Sequence, residues 1–298
     1  MASLRDIRRR IKSVKNTSQI TKAMQMVAAS KMRKAQQAAL NGRPYAILMN
    51  RVIVSLRDHV ESGLHPLLER DKPGRELVIL LSSDKGLCGG MNTNLFREAS
   101  QYDKDSTDFV SVGRKGTQFL ARSGRNLVAE FPLQDSPTAL DSKPVSKFAI
   151  ERFLSGEAGK VTVLFPRFVN TLSQVPTAFP LLPITSLAEA GLMDSGSHDE
   201  AAASSDEHPS EHAADLLIEP DPYSVLDAIL PYAVHFALFQ MLLGTRASEH
   251  SARMVAMKSA TDNAKQLVKD LTLEYNKARQ ASITKEILEI ATAQMALS

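Results

Sequence analysis

The chain has no tryptophan, one cysteine (Cys88) and only 5% aromatic residues over 298 positions. A single cysteine excludes an internal disulfide and suits a reducing compartment. Scarce aromatics beside abundant alanine and methionine point to a helix-rich architecture. Lysine and arginine are missing from residues 168–245, whereas residues 1–60 hold thirteen of them against two acids, Asp6 and Asp58. The formal charge of +3 conceals this polarity, which implies that different segments face different partners. Proline is absent after Pro231 and glycine after Gly244, so the rest of the chain contains no strong helix breaker. No continuous apolar run opens the sequence, which argues against a secretory signal. The arginine-rich start also resembles a transit peptide, but Ser3 with Asp6 forms a capping-box-like helix start instead. The most membrane-like stretch, residues 228–243, is short and carries Pro231, His235 and Gln240; it reads as a buried core helix, not a span.

What is present is organised around residues 221–298. Asp221 and Pro222 supply an acidic N-cap and a proline at the first helical position. Met254, Met257, Thr261, Ala264, Val268, Leu271, Tyr275 and Ala278 then recur at steps of three and four, a coiled-coil seam about four heptads long. Fully helical, the stretch would be roughly 115 Å long, beyond the diameter of a single domain. Residues 3–60 read as a second long helix. Leu4, Ile7, Ile11 and Val14 keep the same spacing, and the seam then thins to Ser18, Thr21 and Ala28. Ile20, Met24 and Val27 lie on a shifted stripe, which predicts a stutter. Gly42 and Pro44 predict a kink or a brief break, and Gly63 and Pro66 an end. Two such helices most simply pair antiparallel. Their seam is lean in leucine, each of which would stabilise by about 1.5–3 kcal/mol when buried. The uncharged tip at residues 290–297 predicts a collar from another protein.

Between the helices, residues 76–82, 108–113, 126–131, 160–169 and 174–182 read as strands. Helices are expected from about Asn92, at 115–123 and at 144–154. The alternation predicts an open, Rossmann-like α/β sheet. Residues 188–214, mostly Ser, Ala, Asp, Glu and His, read as a disordered acidic loop. The expected domains are therefore 1–66 (first shaft helix), 75–185 (central α/β), 186–220 (acidic loop and foot) and 221–298 (second shaft helix).

Candidate chemistry is sparse. The turn SDKGLCGGMNTN at residues 83–94 invites a phosphate-binding reading, yet it is neither GxGxxG nor GxxxxGK[ST]. Asp108 opens the next strand candidate instead of ending one. A tight strand-to-helix turn explains it better. Cys88 lacks a convincing histidine partner, since His59 and His65 lie on the end of the first helix and its exit. His198, His208 and His212 have Pro209 and Ser/Ala filler among them and read as a solvated loop, not a metal site. The basic first helix suits nucleic acid, an acidic protein partner or simple solvation, and composition does not separate the three.

Five blocks narrow the choice: ITKAMQMVAASKMRKAQ (20–36), SDKGLCGGMNTN (83–94), EPDP (219–222), ARMVAMKSATDNA (252–264) and YNKARQASITKEILEI (275–290). In this order they closely resemble the gamma subunit of F-type ATP synthases. The resemblance implies a rotor shaft whose paired helices stand inside a ring of alpha and beta subunits. It also implies an α/β domain resting on the c ring beside the epsilon subunit, and a peripheral position on the cytoplasmic face of a bacterial inner membrane. Rotation of a proton-driven c ring would force each catalytic beta site through its conformations, and the chain itself would carry no catalytic, cofactor or metal site. By motif, Met24 faces an acidic loop of beta, with Lys22, Lys31 and Arg33 around it. Arg253 and Gln280 hydrogen-bond a loop of the catalytic ring as a catch, flanked by Arg279 and Thr284. Glu219 and Asp221 form the foot on the c ring. The thin Ala/Met stripes imply a smooth shaft, so tryptophan at Ala28 or Ala264 is expected to stall it. Ile218 and a long acidic loop depart from the family pattern at the foot. The rival reading is a basic coiled-coil nucleic-acid-binding protein, with salt-sensitive binding as its signature; a third, an α/β enzyme with helical arms, requires a ligand at the turn containing Gly86 and Gly90.

Overall fold

The computed structural model describes residues 3–57, 65–69, 72–184, 219 and 221–297. The elements in order are α1 (Leu4–Arg57), β1 (Arg75–Leu81), α2 (Met91–Ala99), β2 (Thr107–Val112), α3 (Arg114–Ser123), β3 (Asn126–Phe131), α4 (Ala139–Leu154), β4 (Ala158–Phe168), β5 (Gln174–Leu182) and α5 (Pro222–Leu297). They divide into two compact units, Ser30–Ala252 and Met1–Ala29 with Arg253–Ser298. The expected acidic loop with its three histidines, together with His59 and Gly63, lies outside the described residues.

In the unit Ser30–Ala252 the sheet order is β3-β2-β1-β4-β5. The first four strands are parallel and β5 is antiparallel to β4. The run ELVILL forms the centre because a parallel strand covered on both faces needs apolar residues at every position. Successive side chains alternate between faces. Leu77, Ile79 and Leu81 join a core with Val145, Ala149 and Phe153 of α4, Met49 and Ile53 of α1, and Leu226, Leu230, Val234 and Leu238 of α5. Val78 and Leu80 join Phe109, Leu95 of α2 and Leu120 of α3 on the other face. The apolar stretch of α5 is thus an internal wall. By length and composition it would pass for a membrane span, but half of that window is buried inside the protein.

Two local expectations fail here. Helix α4 begins at Ala139, not Pro144, because the Asp141 carboxylate accepts the Thr138 N–H and hydroxyl, each at 2.7 Å, and caps an extra turn. Pro144 removes one helical bond, to the Leu140 carbonyl, and Leu140 is exposed where water can replace it. Likewise the brief break expected at Gly42 and Pro44 is absent, since α1 runs on through both. The turns beyond are anchored by buried Ala46, Met49 and Ile53, so tertiary packing outweighs the missing bond. Gly42 serves close approach: a Cβ there would sit 1.8 Å from Nε2 of buried Gln240.

In the unit Met1–Ala29 with Arg253–Ser298, two helical segments run antiparallel. As α1 advances from Arg8 to Thr21, α5 retreats from Tyr275 to Thr261: the Arg8 guanidinium donates to the Tyr275 hydroxyl, and the Thr21 and Thr261 hydroxyls share a hydrogen bond of 2.7 Å. The α5 seam is the expected one, with Met257, Thr261, Ala264 and Leu271 buried and Val268, Tyr275 and Ala278 partly so. On α1 the predicted stutter is absent. Leu4, Ile7, Ile11, Val14, Ser18, Thr21, Gln25 and Ala28 stay on one partly or fully buried stripe, while Ile20 and Val27 are 60% and 57% exposed. Threonine keeps its place in the seam because one hydroxyl donates to the other across the interface while the accepting one donates to a carbonyl of its own helix, Ser18 for Thr21 or Met257 for Thr261. Ala28 and Ala264 are buried in this seam too. Tryptophan at either would wedge the helices apart, so neither position tests the smoothness of the outer surface.

Three outcomes are expected. In Gly42→Ala the clash falls on the Nε2 end of the flexible Gln240 side chain, so that amide should swing aside and the roughly 1 kcal/mol alanine gains in a helix should raise the denaturant midpoint. Thr21→Val should cost about 1 kcal/mol by orphaning a bond of Thr261, with the Thr21→Val/Thr261→Val pair closer to wild type, measured by a double-mutant cycle. His235 contacts the Ser142 and Ser146 hydroxyls through Nδ1 at 3.1 and 3.3 Å. Burial, and then Lys143, hold its pKa below the ordinary 6.5. A depressed histidine pKa means the folded state binds fewer protons, so stability is full above pH 6.5 and falls as pH drops through that value towards the folded pKa. Denaturant melts of wild type and His235→Asn should diverge below that pH, the variant showing the shallower dependence.

Candidate functional site

In an open α/β sheet a ligand normally occupies the crevice beyond the carboxyl ends of the strands, where the order reverses. Here that point lies between β1 and β4, and α5 occupies it. Ser248 Oγ donates to the Pro166 carbonyl and Ser251 Oγ to the Thr171 carbonyl, both at 2.7 Å. Arg246 reaches the loops after β1 and β3, donating through Nε to the Gln134 carbonyl at 2.7 Å and through Nη2 to the Leu133 carbonyl. Cys88 and Met91 pack against Ala252. The glycine-rich turn is shaped from within: Asn92 Nδ2 donates to Ser83 Oγ at 2.7 Å and lies 3.3 Å from the Cys88 sulfur. It is a strand-to-helix turn backed by a helix. Cys88 is buried, and His65 is engaged elsewhere, with Asp227 at 3.1 Å and with the Leu67 N–H, which it accepts. Among the described residues no cluster of three His, Cys, Asp or Glu could hold a metal.

The remaining functional surface is apolar and exposed. In the helix pair, Ile20, Met26 and Val27 point outward from α1, and Ile283, Ile287, Leu288 and Ile290 are exposed along the end of α5. In the other unit, Tyr45, Leu48, Val52, Val225, Ile229 and Tyr232 line an open apolar groove of about 740 Å³ between α1 and the start of α5. Solvated helix faces seldom carry such rows, and contiguous exposed apolar surface marks a contact with another molecule.

The family model described as ATP synthase matches residues 3–297. The chain is 51% identical to the ATP synthase gamma chain of Opitutus terrae, over 99% of each chain, and 46% identical to that of Methylacidiphilum infernorum over the full length of both. This chain belongs to the ATP synthase gamma family. Among solved structures it resembles a chain of the Tetrahymena thermophila mitochondrial ATP synthase central stalk and c ring, with TM-score 0.60, 25% identity, and 81% and 99% of the two chains covered. It shares its fold with a chain of the Euglena gracilis mitochondrial ATP synthase at TM-score 0.67 and 21% identity, covering 99% and 94%.

The motif residues of this gamma-family chain fall into separate places. Lys22 is exposed on α1 and Met24 is partly buried beside the seam. Lys31 is not a bare cation, because its ammonium pairs with Asp135 at 2.8 Å. That bond is the main reason the Asp135 carboxyl sits below the usual carboxylate range. Arg33 is exposed. Arg253 is partly buried, and Arg279, Gln280 and Thr284 are exposed further along α5, where the Thr284 hydroxyl donates to the Gln280 carbonyl at 2.9 Å. At about 1.5 Å per residue, Arg253 and Gln280 lie roughly 40 Å apart along the axis. The structure does not bring them together, so one short loop cannot bridge both. Glu219 and Asp221 are exposed. Asp221 caps α5, accepting the Ser224 N–H at 2.9 Å and hydroxyl at 2.6 Å, and the hydroxyl bond lowers its pKa. Sequence reasoning missed Arg246 and the apolar groove. The only sequence signal for Arg246 is its place as the first cation after Arg167. With α5 filling the crevice, titration calorimetry of the chain with ATP or ADP is expected to register no saturable heat.

Proposed function

We propose that the chain is the central rotor shaft of a proton-translocating ATP synthase, carrying rotation of a c ring to the catalytic sites of an alpha–beta ring and performing no chemistry itself. The observation that carries this reading is the exposed apolar surface on a helix pair whose own seam is already filled. Ile20 and Val27 on one helix and Ile283, Ile287, Leu288 and Ile290 on the other have the character of an apolar bearing surface, and beside them Lys285 and Glu289 are already paired with each other at 3.6 Å. Ring-facing contacts are assigned to Lys22, Met24, Lys31, Arg33, Arg253, Arg279, Gln280 and Thr284. Lys31 would exchange its internal carboxylate, Asp135, for acidic groups of beta. Arg253 and the Gln280 cluster would act at different heights, as two catches instead of one. Glu219 and Asp221 form the foot on the c ring, and the apolar groove beside them suits the c ring or the epsilon subunit. This places the chain peripherally on the cytoplasmic face of a bacterial plasma membrane.

Affinity isolation of this chain from its host tests the reading. One copy per alpha–beta ring, with epsilon and c subunits, is the expected result; recovery with nucleic acid, abolished steeply by salt, would favour the rival. Within the complex, Ile20→Glu with Val27→Glu should weaken the bearing by about 1.5–3 kcal/mol for each apolar side chain that the ring no longer covers, read as less assembled complex and lower ATP-driven proton pumping.

A further inference from the structure

Arg246 is the largest fully buried side chain among the described residues, and neither the bearing surface nor the foot makes use of it. Its side chain is 1% exposed. Its three nitrogens are divided between the loop after β3 and α5 itself. Nε donates to the Gln134 carbonyl and Nη2 to the Leu133 carbonyl, both in the loop after β3. Nη1 donates to Glu249, one turn along α5 and itself buried. Nη2 also lies 3.5 Å from Asp84, in the loop after β1, and 4.0 Å from Asp135. The two carboxylates extend the network: Asp84 accepts the backbone N–H of Arg114 at the start of α3, and Asp135 holds Lys31 of α1.

We infer that Arg246 is a positioning residue for torque transfer, clamping the loops at the carboxyl edge of the sheet to α5 so that the α/β domain and this stretch of helix move as one body. The inference rests on the rotor reading. The physical case is directional. A guanidinium presents donors in a fixed planar fork and can hold two carbonyls and a carboxylate at once, whereas a lysine ammonium is a compact point charge on a flexible stem. Net stability is a poor explanation for the pair, since a buried ion pair is often no more stable than apolar residues of similar volume. What apolar residues cannot reproduce is the orientation of the Leu133 and Gln134 carbonyls and of Asp84. Without those bonds the domain would still pack on α5 but could yield under load.

The test uses the complete ATP synthase in membrane vesicles, carrying wild-type chain, Arg246→Lys, or Arg246→Met with Glu249→Met. The double variant removes both charges and keeps apolar bulk, so it is expected to assemble at the wild-type level. ATP hydrolysis by its detached catalytic head should stay within about twofold, while proton-driven synthesis falls at least about fivefold, the lower end of ordinary coupling between sites. In the lysine variant, hydrogen exchange within the complex should quicken at residues 133–135 and at Arg114, with the centre of β1 unchanged; this measurement decides the matter if the double variant does not assemble. A double variant that synthesises ATP at the wild-type rate, or a lysine variant with unaltered exchange, overturns the clamp alone. A wild-type chain that neither joins the ring nor supports proton-driven synthesis overturns the rotor reading, and the clamp with it.

Discussion

The structure depends on how α5 is buried. A helix of 76 residues cannot hide its apolar surface against one neighbour, and this one divides the task. Leu226, Leu230, Val234 and Leu238 complete the core beneath the sheet, where each large aliphatic side chain stabilises by about 1.5–3 kcal/mol. From Met257 to Leu271 the same helix offers a lean seam to α1 in which alanine and threonine replace leucine. The first stretch is held by hydrophobic area and the second by fit and by the hydroxyl pair of Thr21 and Thr261. The contrast matches what each must do. One is a foundation, and the other leaves much of the apolar surface of the helix pair for another molecule to cover.

The same helix fills the place where a nucleotide-fold-like domain would otherwise hold a nucleotide. The place where such folds bind ligands is occupied by Arg246, Ser248, Ser251 and Ala252, and the loops around it spend their carbonyls on these side chains. The glycine-rich turn, which on its own suggests phosphate binding, closes on Asn92 and Ser83. A fold associated with small-molecule chemistry is here a mounting for a helix. Members of one architecture differ in function through what fills the site, not through the sheet beneath it.

Charge is partitioned with equal consequence. The segment from Phe168 to Thr245 has no cation other than histidine, so the start of α5 packs as an apolar wall with acids only at its rim, such as Asp221 and Asp227. The cations of α1 lie mostly on solvent-facing positions, Lys22 and Arg33 among them, while Lys31 is held by Asp135. Such pairs are weak at the surface, which leaves Lys31 able to change partners. A buried guanidinium such as Arg246 cannot, because releasing it would strand charge in a poor dielectric.

The five strands, the three short helices and the seam of α5 were legible in the sequence because each is set by a local period. The run ELVILL is short, apolar and flanked by Gly74 and Gly86, which reads as a strand covered on both faces, and the three-four spacing from Met254 to Ala278 reads as a helix stripe. Family membership was legible as well, in blocks that frame the whole chain. The stripe that α1 turns inward was not, because hydrophobicity favours Ile20 and Val27 over Ser18 and Thr21, and only the opposing Thr261 hydroxyl makes a threonine seam satisfactory. Nor could the sequence decide that α1 continues through Pro44, since that balance is struck by the core receiving Ala46, Met49 and Ile53. Arg246 lies furthest from local rules: acceptors as distant in the chain as Asp84 and Leu133 converge on one side chain. Periodicity is written residue by residue, whereas which face is buried and which polar group is satisfied depend on a neighbour that only the folded chain supplies.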